Sequence, residues 1–344
     1  MPPTDLSLPK TYAQSGVDID AGETALDLIK DRVEATYNKN VLAGLGAFGG
    51  LYDLSFLKTY REPLLVTSTD GVGTKTKLAA ALGRYDTVGY DIVNHCVNDI
   101  LVQGATPHLF LDYIAAGRLE PERAATIIGG VAKACKAAGI VLIGGETAEL
   151  PGVYVAGEFD LVGTVIGVVD RAELVTGETI QPGDAVFALM SGGLQTNGFS
   201  LARSVLDGHY QETLGDRSVG EALLHPHRNY VDTIRTLRTK LSIKGMAHIT
   251  GGGMPGNLPR ILPEGLGATI DTGSWPIPPI FNLIQQRGEI ATSEMFRVFN
   301  MGAGFLFVVS AEKAEQVQAL SPEPVLQIGH ITDDEGVRFS SAES

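Results

Sequence analysis

The spacing of apolar and polar residues predicts helices and strands interleaved along the chain. Within residues 20–37, Ala25, Leu28, Ile29 and Val33 fall on neighbouring turns, the spacing of one buried helical face. Residues 63–68 (PLLVTS) form a short apolar run that stops at the polar cluster 69–77, and read as a buried strand. Helical spacing returns over 91–103, where Ile92, Cys96 and Ile100 recur every four positions with Val93, Val97 and Leu101 beside them. Gly104 stops that helix and Pro107 confirms the break. The pattern then gives a strand over 108–116, a helix over 121–139, and strands over 140–143 and 159–169.

After Asp170 the rhythm restarts. Strands are predicted over 185–190, 247–250 and 305–310, and helices over 197–206, 230–240, 257–262 and 278–287. Both halves mix the two element types, so the fold class is α/β (α+β) in two domains. The polar, turn-rich segment TGETIQPGD marks the junction, giving domains over 1–172 and 173–344. A chain of 344 residues is about twice the usual ~100–200 residues of one domain, which predicts two packed cores.

Composition narrows the function. Glycine is abundant at 42 residues with no collagen period, so these residues mark turns and ligand loops lined by backbone. The charge of −14 repels a phosphate polyanion and argues against nucleic acid as a partner. No polybasic run offers a footing on acidic lipid, and no apolar stretch reaches the ~20 residues that span a bilayer. Residues 1–16 are polar and lack a signal-peptide core, so a cytoplasmic protein is expected. Cys96 and Cys135 sit in apolar helical patterns without CxxC spacing and read as core thiols.

Two motifs resemble nucleotide loops without matching them. Gly44-Leu-Gly-Ala-Phe-Gly49 fits GxGxxG but follows a charged helical segment, so it reads as a loop that covers a substrate or makes a turn. Asp70-Gly71-Val-Gly73-Thr74-Lys75-Thr76 lacks the first glycine of a P-loop, since Ser68 stands there. It still sets a carboxylate, two glycines, two hydroxyls and a lysine just past a strand end, a combination suited to magnesium and phosphate. Asp99 near a helix C-terminus opposes the macrodipole, an unfavourable placement that invites a functional reason. Asp91, His95 and Asp99 share a helical face with Asn98 beside them. Glu146 follows another strand, so Asp70, Asp99 and Glu146 are expected to meet at one crevice and hold Mg2+. Lys75 and, less centrally, Lys77 are the expected phosphate contacts. Two further glycine loops, Ser191–Gly198 and His248–Gly253 (with Gly251, Gly252 and Gly253), precede helices and can offer N–H groups to an anion. His248 is either a ligand-facing or a core histidine.

Several long motifs occur together and in order: YAQSGVDIDAG, DGVGTKTKLA, CVNDILVQGATPHLFLDYIA, LIGGETAELPGVY, TNGFSLAR, AHITGGGMPGNLPRILP and FNMGAGF. In these the chain closely resembles the phosphoribosylformylglycinamidine cyclo-ligase (AIR synthetase) family. The resemblance implies a homodimer whose N-terminal mixed sheets, backed by helices, join into an intersubunit barrel, and a C-terminal α/β domain that completes the cleft. It implies ATP-dependent closure of formylglycinamidine ribonucleotide to aminoimidazole ribonucleotide, with ADP and phosphate released and Mg2+ required. By motif match, Asp70, Asp99 and Glu146 organise magnesium and the ATP phosphates, while Lys75 neutralises charge. Lys30, Gly71, Gly73, Thr74 and Asn98 fall at the nucleotide site, Asn197 and the Gly251–Gly253 loop hold phosphate or ribose, and Asp112 stands behind them. The alternatives are another ATP-using member of the same superfamily, such as a small-molecule kinase, and a non-catalytic binding module.

One departure stands out. The family commonly reads H-[ST]-N-G where this chain has Gln195-Thr196-Asn197-Gly198. Glutamine hydrogen-bonds but neither becomes a cation nor shuttles protons at neutral pH, so the position is a binding group or is compensated elsewhere.

Overall fold

The computed structural model describes residues 11–340; most of the polar stretch 1–16 lies outside them. The first half runs α1 (Ile19–Glu34), a small hairpin of β1 (Val41–Ala43) and β2 (Leu51–Tyr52), β3 (Pro63–Gly71), α2 (Lys75–Leu82), α3 (Val88–Leu101), β4 (Thr106–Ala116), α4 (Pro121–Ala138), β5 (Val141–Glu149) and β6 (Phe159–Asp170). The sheet order is β3-β6-β4-β5, antiparallel except for the parallel pair β4–β5. Period-two alternation sends Val66, Phe110, Ile114, Leu161 and Val165 into the core, where α3 lies on β3 and β6. Gly89 and Gly130 let α3 and α4 approach closely: a Cβ on Gly89 would sit 2.3 Å from the Val131 nitrogen. The opposite sheet face is open, with Leu65 70% exposed.

The second half runs β7 (Ala185–Met190), α5 (Phe199–Leu206), a hairpin of β8 (Thr213–Leu214) and β9 (Arg217–Ser218), α6 (Val219–Leu223), α7 (Val231–Arg238), β10 (Gly245–His248), α8 (Gly253–Asn257), β11 (Gly267–Asp271), α9 (Pro279–Gly288), α10 (Thr292–Val298), β12 (Ala303–Val309), α11 (Ala314–Leu320), β13 (Leu326–Thr332) and β14 (Gly336–Ser340). Its six strands are ordered β10-β12-β7-β13-β11-β14. The nearly unbroken apolar runs of β7 and β12 lie at its centre and are almost wholly buried. The helix expected over 257–262 starts earlier, at Gly253, and Leu258–Ile261 continues as a 3-10 turn containing Pro259. No helix among the described residues is long and apolar enough to cross a membrane.

Each half builds its own main sheet, and their apolar interiors touch at the junction. Apart from a small satellite at Ala25, Leu119 and Ala124, one apolar cluster runs unbroken from Ile29 to Ile331. The two halves meet where α2 and α3 of the first pack against α5 and α7 of the second.

A polar tie runs through that junction. The Lys75 ammonium donates to Asp91 Oδ1 at 2.8 Å, to the Gln195 carbonyl at 3.0 Å and to the His225 carbonyl at 2.8 Å. Asp91 Oδ1 also accepts from the His227 N–H at 2.7 Å. Farther along α3, Asn94 donates to the His227 carbonyl, and Asn98 both donates to the Arg228 carbonyl and accepts from the Tyr230 N–H. Burial pulls Lys75 below the ordinary lysine value and lifts Asp91 above the ordinary carboxylate value, each opposed by the partner's charge. Removing one partner of such a pair strands a buried charge and costs about 3–5 kcal/mol. Lys75→Met should therefore destabilise the chain by that amount in urea unfolding, while Lys75→Met combined with Asp91→Asn should lose less. Equal losses in the two variants would show that no buried charge had been stranded.

Candidate active site

The C-terminal end of β3 and the last turns of α3 deliver two acids to a cleft between the halves. Asp70 Oδ2 lies 2.9 Å from His95 Nε2, and Asp99 Oδ2 lies 3.6 Å from that same nitrogen. Asp99 Oδ2 accepts from the Ser68 hydroxyl at 3.0 Å, while its Oδ1 is 2.9 Å from Nδ1 of His248, which closes β10. The cleft has a volume of about 610 Å³, and Thr67, Thr250, Asn257 and Arg260 also line it. Behind it a chain of contacts continues: His95 Nδ1 to the Thr196 hydroxyl at 2.6 Å, that hydroxyl to His227 Nδ1 at 3.3 Å, and His227 Nε2 to His248 Nε2 at 3.0 Å.

Electrostatics follow from these partners. Burial acts to raise Asp99, but hydrogen bonding and charge from His248, then His95 and Ser68, hold it below the usual carboxylate value. Asp70 is held low in the same way by His95 and the Gly71 N–H, against its partial burial. His95 is pushed up: burial opposes its charge, and Asp70, Asp99 and Asp91 outweigh that. Burial lowers both His227 and His248.

The structure brings together some expected site residues and separates others. Asp70 and Asp99 meet, as expected. Glu146 does not join them: the register across the sheet runs from Asp70 to Gly163, Asp112 and Gly145, which puts Glu146 three strands away, about 14 Å. It lines a second cavity of about 420 Å³ with Asp112 and the Gly44–Gly50 loop. Lys75 is not in the cleft; it is fully buried with its ammonium spent on the tie between halves. Asn98 is likewise buried in that tie. Gly71 and Gly73 flank the turn into α2, and Thr74 contacts the Ser200 hydroxyl across the junction at 3.1 Å. Lys77 pairs with Glu158 on the surface, and Lys30 is exposed on α1. Asn197 stands beside Gly251, and Asn257 holds the Gly251–Gly253 loop by donating to the carbonyls of Gly251 and Gly253. Gln195 turns away from the cleft, its Nε2 donating to the Tyr230 hydroxyl at 2.7 Å.

Sequence reasoning missed Arg260, Thr196 and His227. Arg260 lay inside a recognised motif and offered the signal of a lone cation beside a glycine loop. His227 offered none, because the contacts that define it come from segments 21 and 31 residues away or more.

Asp112 carries a pH signature. Burial pushes its carboxyl up to about 7 from an ordinary 3.8. A raised folded-state value means that its contribution to stability is fully present below pH 3.8 and is lost as pH rises through about 7. Asp112→Asn, which stays neutral, should match the parent near pH 4 and become progressively more stable than it up to pH 7, then hold that margin. Urea midpoints across pH 4–8 measure this, and parallel curves would count against a buried, unpaired carboxyl.

Comparison with known proteins gives the family. The family model described as AIR synthase related protein, N-terminal domain, matches residues 53–169, and the model for the corresponding C-terminal domain matches residues 181–341. The phosphoribosylformylglycinamidine cyclo-ligase of Geobacillus kaustophilus (strain HTA426) is 51% identical over 342 residues, covering 96% of this chain and 98% of the relative. That of Desulfitobacterium hafniense (strain Y51) is 49% identical over 338 residues, covering 96% and 99%. Among solved structures, the hydrogenase maturation protein HypE of E. coli has a TM-score of 0.67 at 19% identity, covering 94% of this chain and 93% of that one. Thiamine-monophosphate kinase from Stenotrophomonas maltophilia K279a has a TM-score of 0.67 at 18% identity, covering 91% and 96%. These distant likenesses concern the fold alone. With both halves matched and about half of all residues shared with such relatives over nearly the full length, the chain belongs to the phosphoribosylformylglycinamidine cyclo-ligase family.

Proposed function

We propose that the cleft between the halves is where this chain carries out its family's reaction, with Asp70 and Asp99 organising the phosphates of ATP through magnesium. The activity is ATP-dependent ring closure of formylglycinamidine ribonucleotide to aminoimidazole ribonucleotide, ADP and phosphate, a step of purine biosynthesis. The observation that carries the site assignment is the convergence of Asp70 and Asp99, from different elements, within 4.8 Å of one another and of His95. Both carboxylates face the cleft and are held in the ionised form, a donor set that fits a hard cation taking one or two carboxylates plus phosphate oxygens. When bound, Mg2+ supplies charge neutralisation on the phosphates being transferred.

The chain's own residues do the positioning. His248 and Ser68 fix the Asp99 carboxylate, and His95 fixes Asp70. Arg260, rather than Lys75, brings positive charge to the cleft. Asn197 and the Gly251–Gly253 loop hold a phosphate or ribose of one substrate, while Gly73 and Thr74 line a separate cavity beside α2. Glu146 and Lys30 meet the nucleotide from the second cavity and α1 instead of sharing the ion of Asp70. Phosphorylation of the amide oxygen converts a poor leaving group into phosphate. The amidine nitrogen of the same molecule then attacks that carbon, so holding the substrate folded supplies much of the acceleration. No nucleophilic side chain is required.

The open face of the first sheet, with exposed Leu65, supports a homodimer in which two such sheets close on each other, within an N-terminal unit over 1–172 and a C-terminal unit over 173–344. A cytoplasmic location fits a reaction that consumes ATP.

Purified protein given formylglycinamidine ribonucleotide, ATP and Mg2+ should form ADP and a diazotisable aminoimidazole in equal amounts. Asp99→Asn should keep its unfolding midpoint close to the parent and lose turnover on the order of 100-fold or more. Full turnover in that variant at saturating magnesium would make Asp99 a bystander.

A further inference from the structure

Three imidazoles meet where the halves join. His95 comes from α3, His227 from the segment before α7 and His248 from the end of β10, and all three are buried. Their ring centres form a nearly equilateral triangle of 5.0, 5.1 and 5.3 Å. One ligating nitrogen from each lies within 4.8 Å of the other two. Three imidazoles on one tetrahedral ion, with metal–nitrogen bonds of about 2.0–2.1 Å, place their ring centres about 5.2 Å apart. The triangle has that size.

Its surroundings suit an ion as well. The other ring nitrogen of His248 contacts the Asp99 carboxylate, the usual support behind a metal-bound histidine. His227 is backed in the same way by the Thr196 hydroxyl. Asp70 and Asp99 border the triad and would offset a divalent charge. His95 and His248 also line the cleft, which gives an entry path. Nitrogen donors select borderline transition ions over magnesium, which prefers oxygen.

We propose that His95, His227 and His248 form a site for a divalent transition ion of the zinc type, clasping α3 of the first half to β10 and the 225–230 segment of the second. His227 and His248 present Nε2 to the ion, and His95 exchanges one of its two contacts, to Thr196 or Asp70, for it. The site differs in donor chemistry from the carboxylate pair assigned to magnesium and does not rest on the nucleotide reading, because it needs no ATP.

The test uses the full-length, untagged chain, stripped with a chelator and titrated with Zn2+ alone or Co2+ alone, without nucleotide. One ion per chain is expected by equilibrium dialysis, with a visible Co2+ d–d spectrum and a rise in thermal midpoint. His227→Gln and His248→Gln should each weaken binding at least about 10-fold. In the native chain, Zn2+ should shift the ring-nitrogen resonances of all three histidines, a readout that does not depend on any variant folding. Excess Mg2+ should leave the Co2+ spectrum in place. Failure to bind, binding untouched by the substitutions, unmoved histidine resonances or displacement by Mg2+ would each overturn the proposal and leave a hydrogen-bonded triad.

Discussion

The cleft depends on how one helix is gripped along its polar side. The apolar positions of α3, including Ile92, Cys96 and Ile100, settle on the first sheet and leave Asp91, Asn94, His95 and Asn98 turned toward the other half. Three of those four bind backbone groups of residues 227–230, and Asp91 is itself neutralised by Lys75. A charge pair with no exposure depends on its hydrogen bonds: all three protons of the Lys75 ammonium find acceptors, whereas Asp91 Oδ2 is buried without a partner. The arrangement specifies geometry more than it adds stability. The helix that carries Asp99 into the cleft is locked to the segment that carries His227, so the two walls share one frame.

The first sheet places two acids on the same row and face and gives them opposite characters. Asp70 and Asp112 both pair with Gly163, from its two sides. At the edge strand Asp70 reaches solvent and His95, which keep it charged. One strand in from the other edge, Asp112 is buried against Gly145, where an added Cβ would lie 2.2 Å from its Oδ1, and burial pushes its carboxyl up to about 7. Environment thus separates the protonation behaviour of two like side chains on one sheet row.

Much of this fold was legible in the sequence because its signal is local. The strand over 185–190 and the helix from Pro121 have the extents their periodicity predicts, and Asp99 beside Gly104 was correctly singled out as misplaced against the helix dipole. What failed was long-range. The polar run 69–77 hid the start of α2 at Lys75 because its composition suits a phosphate loop, whereas the partners that bury Lys75 lie 120 and 150 residues away. Glu146 and Asp70 were expected just past strand ends, whereas both lie within their strands, β5 and β3. Strand order, which no local pattern encodes, then places them at opposite edges of the sheet.

Gln195 shows why a departure from a family motif must be judged at the atom rather than the letter. Its backbone sits at φ 66, an uncommon conformation for a residue other than glycine, and the side chain points into the core against Gly304 and Tyr230. A Cβ at Gly304 would stand 2.6 Å from the Gln195 Nε2 and 2.2 Å from the Tyr230 hydroxyl, so the pocket is built around this hydrogen bond. The carbonyl of the same residue accepts from Lys75. What the position contributes to the junction is therefore a backbone acceptor and a fixed turn, both available to any side chain the pocket admits. The imidazoles that line the cleft belong to His95 and His248, and His227 connects them from behind. Losing an ionisable group at 195 removes nothing from the cleft wall, because in this backbone that side chain never reaches it.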